Sequence, residues 1–206
     1  VVTQANYVQL REHCDRLEYL TNPVNVALFS RPLRVQGTCI ASWNGNAAHK
    51  NGDVKGFNDL VKPACARAGV PLVFAEYHTR RLRPEEMPGF YQQATVAICA
   101  SRYEGASNSV MEAMAAGQAL VSTAVGNVPE MHQSQMRHFG RSGILIVERA
   151  VDAITAALRE LCADPERLVD MGSLNREEIR ARWSWDVWAD RYRGFFRRAL
   201  DAVDGE

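Results

Sequence analysis

Thr95-Val96-Ala97-Ile98-Cys99, then Ser109-Val110-Met111-Glu112-Ala113-Met114-Ala115-Ala116, then Ala119-Leu120-Val121-Ser122-Thr123 is the passage that decides the fold. Two short apolar runs flank a stretch of helix formers that Gly117 closes. Strands apolar on both faces belong inside a parallel sheet covered on both sides, and parallel strands need a crossover, usually a helix. The alternation continues both ways. Upstream lie an apolar run at 37–43, a helix over Phe57–Ala68 ended by Gly69, a strand at Leu72–Ala75 and a helical pattern over Glu85–Gln93. Downstream come a short turn of helix near Glu130, a strand at Ile144–Val147 and a helix over Val151–Ala163. This order predicts an α/β class fold, a doubly wound, Rossmann-like parallel sheet with functional loops at the carboxyl ends of its strands.

Both ends of the chain read as helical. Tyr7 to Tyr19 carries apolar residues at helical spacing until Pro23 forbids continuation, and residues 1–28 read as a leading appendage. Asp164-Pro165-Glu166 is a helix start, and Ser184 is placed to cap a last helix running to about Val203. Trp185, Trp188, Tyr192, Phe195, Phe196, Leu200 and Val203 form a broad stripe on it, either a core-facing side or a docking face for another domain.

The chain of 206 residues is 47% hydrophobic and 23% charged, ordinary values for a globular domain with a real core. Lys+Arg and Asp+Glu are both 24, so global charge gives no reason to expect a nucleic-acid partner. Cys14, Cys39, Cys65, Cys99 and Cys162 are odd in number and contain no C-x-x-C pair, which predicts reduced, buried thiols and a cytosolic compartment. No stretch approaches the roughly 18 apolar residues that cross a bilayer. The start at Val1, without Met and already strand-like, suggests processing or a fragment.

Chemistry concentrates in Ser101-Arg102-Tyr103-Glu104-Gly105-Ala106-Ser107-Asn108-Ser109-Val110-Met111-Glu112. Gly105 permits a tight loop, the small residues after it let a ligand approach the backbone, and the helix that follows aims free N–H groups at an anion. Glu104 precedes the loop and Glu112 falls in the expected first helical turn, so two carboxylates flank that site. The same Ser109-x-x-Glu112 spacing also fits a capping box, in which Glu112 only satisfies a backbone N–H. His49, His78, His132 and His138 show no metal-ligand spacing, and no metal or other cofactor is expected.

The whole segment resembles the retaining GT-B glycosyltransferases of family 4, whose donor-binding domain carries E-G-x-x-N-x-x-x-E-A-M-A-x-G. Here it stands as Glu104, Gly105, Asn108, Glu112, Ala113, Met114, Ala115 and Gly117. Lys55-Gly56, Tyr91 to Ser101, Ser122 to Gly126, Pro129-Glu130, Gly143 to Val147 and Ser184-Trp185 are similar to further family motifs in the same order. Asn22-Pro23-Val24-Asn25 is similar to the run that closes the family's first domain. The resemblance implies the C-terminal half of a GT-B fold. It implies that Glu112 holds the ribose of a UDP- or GDP-sugar, that Glu104 holds the donor sugar, and that the backbone of Gly105, Ala106, Ser107, Asn108, Ser109 and Val110 cradles the diphosphate. Lys55 would neutralise the leaving phosphate, and Glu104 and Lys55 are the catalytic candidates.

The chain also departs from the family pattern. An Arg usually precedes the Lys-Gly by about five residues; here Lys50, or Asn44 and Asn46, takes its place in the expected donor site. Ala100, Gln118 and Asn127 replace Pro, Pro and Gly. The implied organisation is the tail of an acceptor-type domain or linker over 1–28, the donor-binding domain over 29–183 and an interdomain docking helix over 184–206. An acceptor domain or partner chain would complete the enzyme. The other reading is a non-catalytic nucleotide-binding or interaction module acting with a partner. Neither G-x-G-x-x-G nor G-x-x-x-x-G-K-[ST] is present, which excludes a dinucleotide dehydrogenase and a P-loop NTPase. Arg191, Arg193, Arg197 and Arg198 read as a solvated face, with peripheral contact to the inner membrane face as the alternative.

Overall fold

A computed structural model describes residues 2–14, 17–29, 38–47 and 52–204, with side chains to residue 201. Strands β1 (Ala41–Gly45), β2 (Leu72–Glu76), β3 (Val96–Cys99), β4 (Ala119–Ser122) and β5 (Ile144–Ile146) are all parallel, in the order β2-β1-β3-β4-β5. The helices are α1 (Gln4–Leu10), α2 (Val26–Phe29), α3 (Lys62–Ala68), α4 (Met87–Tyr91), α5 (Asn108–Ala116), α6 (Val128–Phe139), α7 (Val151–Cys162), α8 (Pro165–Arg182) and α9 (Trp185–Asp204). A π-type turn, Phe57–Val61, leads into α3, and a 3-10 turn, Pro84–Glu86, leads into α4.

The two apolar faces of the strands divide the core. Ala97, Cys99, Leu120 and Ile144 pack with Tyr91, Met111 and Met114 on one side. Val96, Ile98, Ala119 and Val121 pack with Val61, Cys65, Ile154 and Leu158 on the other. Such double coverage is why β3 and β4 read as unbroken apolar runs. Gln118, which stands where the family has Pro, is fully buried. Its carboxamide accepts from the Ser42 hydroxyl at 2.6 Å and donates to the Tyr91 carbonyl at 2.7 Å. A buried polar side chain satisfied at both ends costs little and fixes packing.

The sheet order locates the site. From β1 the chain crosses to β2 on one side, and from β3 it crosses to β4 on the other, while β1 and β3 are neighbours. Loops leaving adjacent strands in opposite directions open a crevice at the carboxyl ends, where ligands of such sheets bind.

Several expectations are corrected. α1 stops at Leu10 rather than continuing to Tyr19. Tyr19 instead donates its hydroxyl to Glu130 at 2.9 Å and packs edge-on against Trp188, so tertiary partners override helical periodicity. The helix near Glu130 is 12 residues long, not a short turn. Its inward face includes the fully buried Gln135, which donates to Asn175 and accepts from the Gly143 N–H, so a polar residue hides the apolar period. Cys39 and Cys162 form a disulfide although 123 residues separate them, and Cys14 is exposed; only Cys65 and Cys99 are buried thiols. Sequence spacing carries no trace of that bridge, because the fold alone brings the start of β1 beside the end of α7.

The N-terminal segment is built into this body. Val24 and Phe29 are buried in the α4–α5 layer. The Val24 N–H donates to the Trp183 carbonyl at 2.8 Å and its carbonyl accepts from the Trp185 N–H at 3.1 Å, joining the segment to the α8–α9 junction. Ser184 turns its hydroxyl back to the Arg180 carbonyl instead of capping α9. The stripe on α9 is divided: Trp188 is buried and the Tyr192 hydroxyl donates to the Thr21 carbonyl, whereas Phe196 and Leu200 are exposed. Arg193 pairs with Asp190, Arg198 with Glu18, and Arg191 lies over the Trp188 ring. No helix of the described residues is long and apolar enough to cross a membrane.

Candidate functional site

Four local devices bring Lys55, after β1, to Glu104, after β3. Asp53 accepts the N–H groups of Phe57, Asn58 and Asp59 at 2.9, 2.7 and 2.8 Å and so anchors the turn. Arg149 donates to the Ala100 carbonyl at 3.0 Å and the Asp53 carbonyl at 2.9 Å, while the Val54 carbonyl accepts from Arg102 N–H at 2.8 Å. Gly56 adopts a positive φ of 71°, and a Cβ there would lie 2.6 Å from the Ala100 oxygen. Only glycine lets the two loops approach so closely. The result is an ion pair of 2.6 Å between Lys55 Nζ and Glu104 Oε1, whose side chains are 30% and 11% exposed. The Ser101 hydroxyl donates to the same oxygen at 2.7 Å.

The loop after Glu104 is held from behind. Gly126, at φ 57°, sits where a Cβ would meet the Gly105 oxygen at 2.0 Å. Asn127 N–H donates to that oxygen at 3.2 Å, and the buried Asn127 side chain accepts the Ser107 N–H at 3.3 Å. The Ser107 amide expected in the diphosphate cradle is therefore already engaged, a correction that follows from Asn standing where the family has Gly. Ser107 is the extended N-cap of α5 and makes no side-chain cap bond. The N–H groups of Asn108, Ser109 and Val110, in the first turn, have no intrahelical acceptor and form the positive mouth of the helix. Ala106 and Val110 are buried. Replacing Asn127 with Ala leaves the Ser107 amide without its acceptor and costs about 1–2 kcal/mol. Thermal unfolding checks this, with an expected drop of roughly 2–8 °C for a domain of this size.

Glu112 lies in the second turn of α5, since the helix begins at Asn108 and has no acid in its first turn. Its carboxylate faces the buried Tyr91 hydroxyl at 3.1 Å rather than the Ser109 N–H, so the capping box does not form. The Tyr91 hydroxyl also accepts from Asn44 Nδ2 at 3.2 Å. Tyr91 thereby links the end of β1 to α5. Burial pushes the Glu112 carboxyl above its ordinary 4.5, and the Tyr91 hydrogen bond offsets this only in part. Burial, then the charge of Glu112, holds the Tyr91 hydroxyl well above its usual range.

A direction for pH follows from that shift. The folded protein takes up the Glu112 proton at higher pH than the unfolded chain, so this group makes the fold firmer as pH falls toward the ordinary carboxylate value. A ligand whose hydroxyls donate to the ionised carboxylate responds in the opposite sense. Affinity for a ribose-bearing ligand is expected to fall with decreasing pH, starting above the ordinary glutamate range, and the fall should disappear in Glu112→Gln. Calorimetric titrations across the acid range give both curves.

A cleft of about 460 Å³ brings together Asn44, Asn46, Lys55, Asn108, Ser109 and Glu112. Glu104 reaches it through Lys55. Gly105 is half-buried and not part of the cleft's lining, and Lys50 lies outside the described residues. A second cleft of about 390 Å³ shares Asn108 and Glu112 and opens toward Asn25, Trp185 and Tyr192. Three contributors escape a reading by motif. Tyr91 signals itself only as part of a longer run, and Arg81 sits in a loop without periodicity. Glu76 is the third: a buried acid at a strand end, followed by a turn whose N–H groups it accepts.

Known proteins agree with this architecture. The family described as "Glycosyl transferases group 1" matches residues 60–164, about half the chain. A GDP-mannose-dependent alpha-(1-6)-phosphatidylinositol monomannoside mannosyltransferase of Mycobacterium tuberculosis is 32% identical over 120 residues, 55% of this chain and 30% of that protein. Alpha-maltose-1-phosphate synthase of Mycolicibacterium smegmatis is 31% identical over 141 residues, 66% of this chain and 34% of that protein. The chain thus spans about a third of the length of these curated relatives. The sucrose-phosphate synthase structure from Thermosynechococcus elongatus superposes with a TM-score of 0.75 at 18% identity, covering 98% of this chain and 58% of that one. The parallel sheet is that of one half of a GT-B glycosyltransferase, and the chain belongs to the glycosyl transferases of group 1.

Proposed function

We propose that the chain is the donor-binding part of a retaining glycosyltransferase that uses a nucleoside-diphosphate sugar. The observation that carries this is the single cleft in which Lys55, the free amides opening α5 and Glu112 stand together. A diphosphate needs cations and N–H donors, and a ribose needs a carboxylate that accepts two hydroxyls. The cleft offers them in that order. The mycobacterial relative's GDP-mannose dependence supports a sugar nucleotide as the class of donor.

In the reaction the bond between the anomeric carbon and the diphosphate oxygen breaks, an acceptor hydroxyl oxygen bonds to that carbon and its proton leaves with the diphosphate; negative charge grows on the departing oxygen. Lys55 and the Asn108–Val110 amides stabilise that charge without reorganising. Glu104, held by Lys55 and Ser101, positions the hydroxyls of the sugar, and the ammonium is shared between Glu104 and the phosphate once a donor enters. Acceptor groups come from a further domain, against which residues 184–206 dock through the exposed part of the α9 stripe; residues 29–183 form the donor unit and residues 1–28 lead into it. Calorimetry on the folded chain tests the core of this reading. UDP or GDP should bind saturably at one site and the corresponding nucleoside only feebly. No binding of either diphosphate by a chain with a native circular dichroism spectrum overturns it.

A further inference from the structure

If Lys55 and the mouth of α5 hold the diphosphate and Glu112 the ribose, the base occupies the part of the same cleft beyond Glu112. That part is walled by Ala75, Tyr77, Arg81, Leu82, Pro84 and Met87. Ala75, Leu82, Pro84 and Met87 give an apolar platform for a planar ring. The Tyr77 hydroxyl can donate or accept, and the charged groups that could read the ring's edge are cations. Glu76, the acid nearest in sequence, is buried and saturated, accepting N–H groups from Ala47, His78 and Thr79 and the Thr79 hydroxyl. Burial raises its carboxyl, but these donors together outweigh burial and leave it below the ordinary range. Glu85 and Glu86 are taken by Arg83, at 3.3 and 3.1 Å. The carboxylates near this wall are thus engaged, and the charged group that faces the ring's edge is a donor.

Two guanidinium groups, Arg80 and Arg81, line this cleft from the loop after β2, and each lies over a different ring. Arg80 leans over Phe74, whose ring packs in the α3–α7 layer. Arg81 lies over the Tyr77 ring at 4.7 Å and pairs with no carboxylate among the described residues. Its loop is not loose, because Glu76 ties together the turns after β1 and β2, and the Glu76 and Arg80 backbones bond reciprocally at 3.2 and 2.9 Å. A guanidinium stacked on an aromatic ring keeps its planar fork pre-oriented. Arg81 follows the edge strand β2, whereas α5 follows β3, two strands away in the sheet.

Resting on the donor-site reading above, we infer that Arg81 reads the base and selects guanine, making a GDP-sugar the donor. The chemistry of the edges decides it. Guanine presents O6 and N7 as adjacent acceptors, which match two N–H groups of one guanidinium. Adenine sets an amino donor beside N7, cytosine presents an amino donor, and uracil places an N–H beside O4, so each confronts the fork with at least one donor.

Calorimetric titration of GDP, UDP and ADP into the full chain, its Arg81→Ala and Arg81→Lys variants and an Arg80→Ala control tests the assignment. Arg81 is exposed, so these changes leave the core untouched. GDP should bind the unaltered chain roughly 5- to 150-fold more tightly than UDP or ADP. Arg81→Ala and Arg81→Lys should each erase that margin while UDP affinity stays within about twofold, and Arg80→Ala should keep it. Equal affinity for GDP and UDP, a GDP margin that survives Arg81→Ala, or equal weakening of both nucleotides by that change overturns the base-reading role and leaves the donor site standing. Failure of every nucleoside diphosphate to bind the folded chain removes the site itself, and this inference with it.

Discussion

Replacing Lys55 with Met should slow sugar transfer by roughly 10²–10³-fold while nucleotide binding weakens far less. Among the described residues the Lys55 ammonium is the cation paired with Glu104 in the cleft at the mouth of α5, and its work is greatest when charge has moved onto the leaving oxygen. A group favoured chiefly in the transition state shows its loss in kcat rather than in KM. Lys55→Arg should not restore the rate fully, because a planar fork cannot occupy the point position 2.6 Å from Glu104. The fold should survive both changes, since Gly56 and Arg149, not the lysine, hold the loops together. Steady-state turnover of the assembled enzyme, or donor hydrolysis where no acceptor is supplied, gives the comparison.

Glu112→Ala should weaken nucleoside-diphosphate binding by roughly 10- to 150-fold, the equivalent of losing charge-assisted hydrogen bonds of about 1.5–3 kcal/mol. The side chain leans on Tyr91 and on little else. Without it the Tyr91 hydroxyl still lies 3.2 Å from the Ser109 carbonyl, so the buried phenol keeps an acceptor and the domain should stay folded. Unchanged thermal unfolding together with the affinity loss separates a ligand contact from a structural one. An affinity change below about twofold would show that the carboxylate's partner is Tyr91 alone.

The sheet was legible because β3 and β4 are buried on both faces, and no polar alternation interrupts Val96–Cys99 or Ala119–Ser122. The family resemblance implied Lys55 and Glu104 as members of one site but not as an ion pair, and Gly56, Val54 and Arg149 bring their loops together. What stayed hidden shares a physical trait: the residue's partner lies far along the chain. Gln135 faces inward because Asn175 and Gly143 satisfy it. Asn127 fills a glycine position by accepting the Ser107 amide 20 residues away. The Cys39–Cys162 bridge and the retreat of α1 at Leu10 likewise depend on distant neighbours. Arg81 carries no periodic signal, and its meaning appears only once the cleft is walled.

The central claim is that one cleft grips a diphosphate at the opening of α5 and a ribose at Glu112. A crystal of the chain soaked with GDP tests this most directly. The account predicts phosphate oxygens within hydrogen-bond reach of Lys55 Nζ and the Asn108–Val110 amides, with both ribose hydroxyls on the Glu112 carboxylate. An empty cleft in crystals of a binding-competent chain, or a nucleotide seated with its ribose away from Glu112, would contradict it.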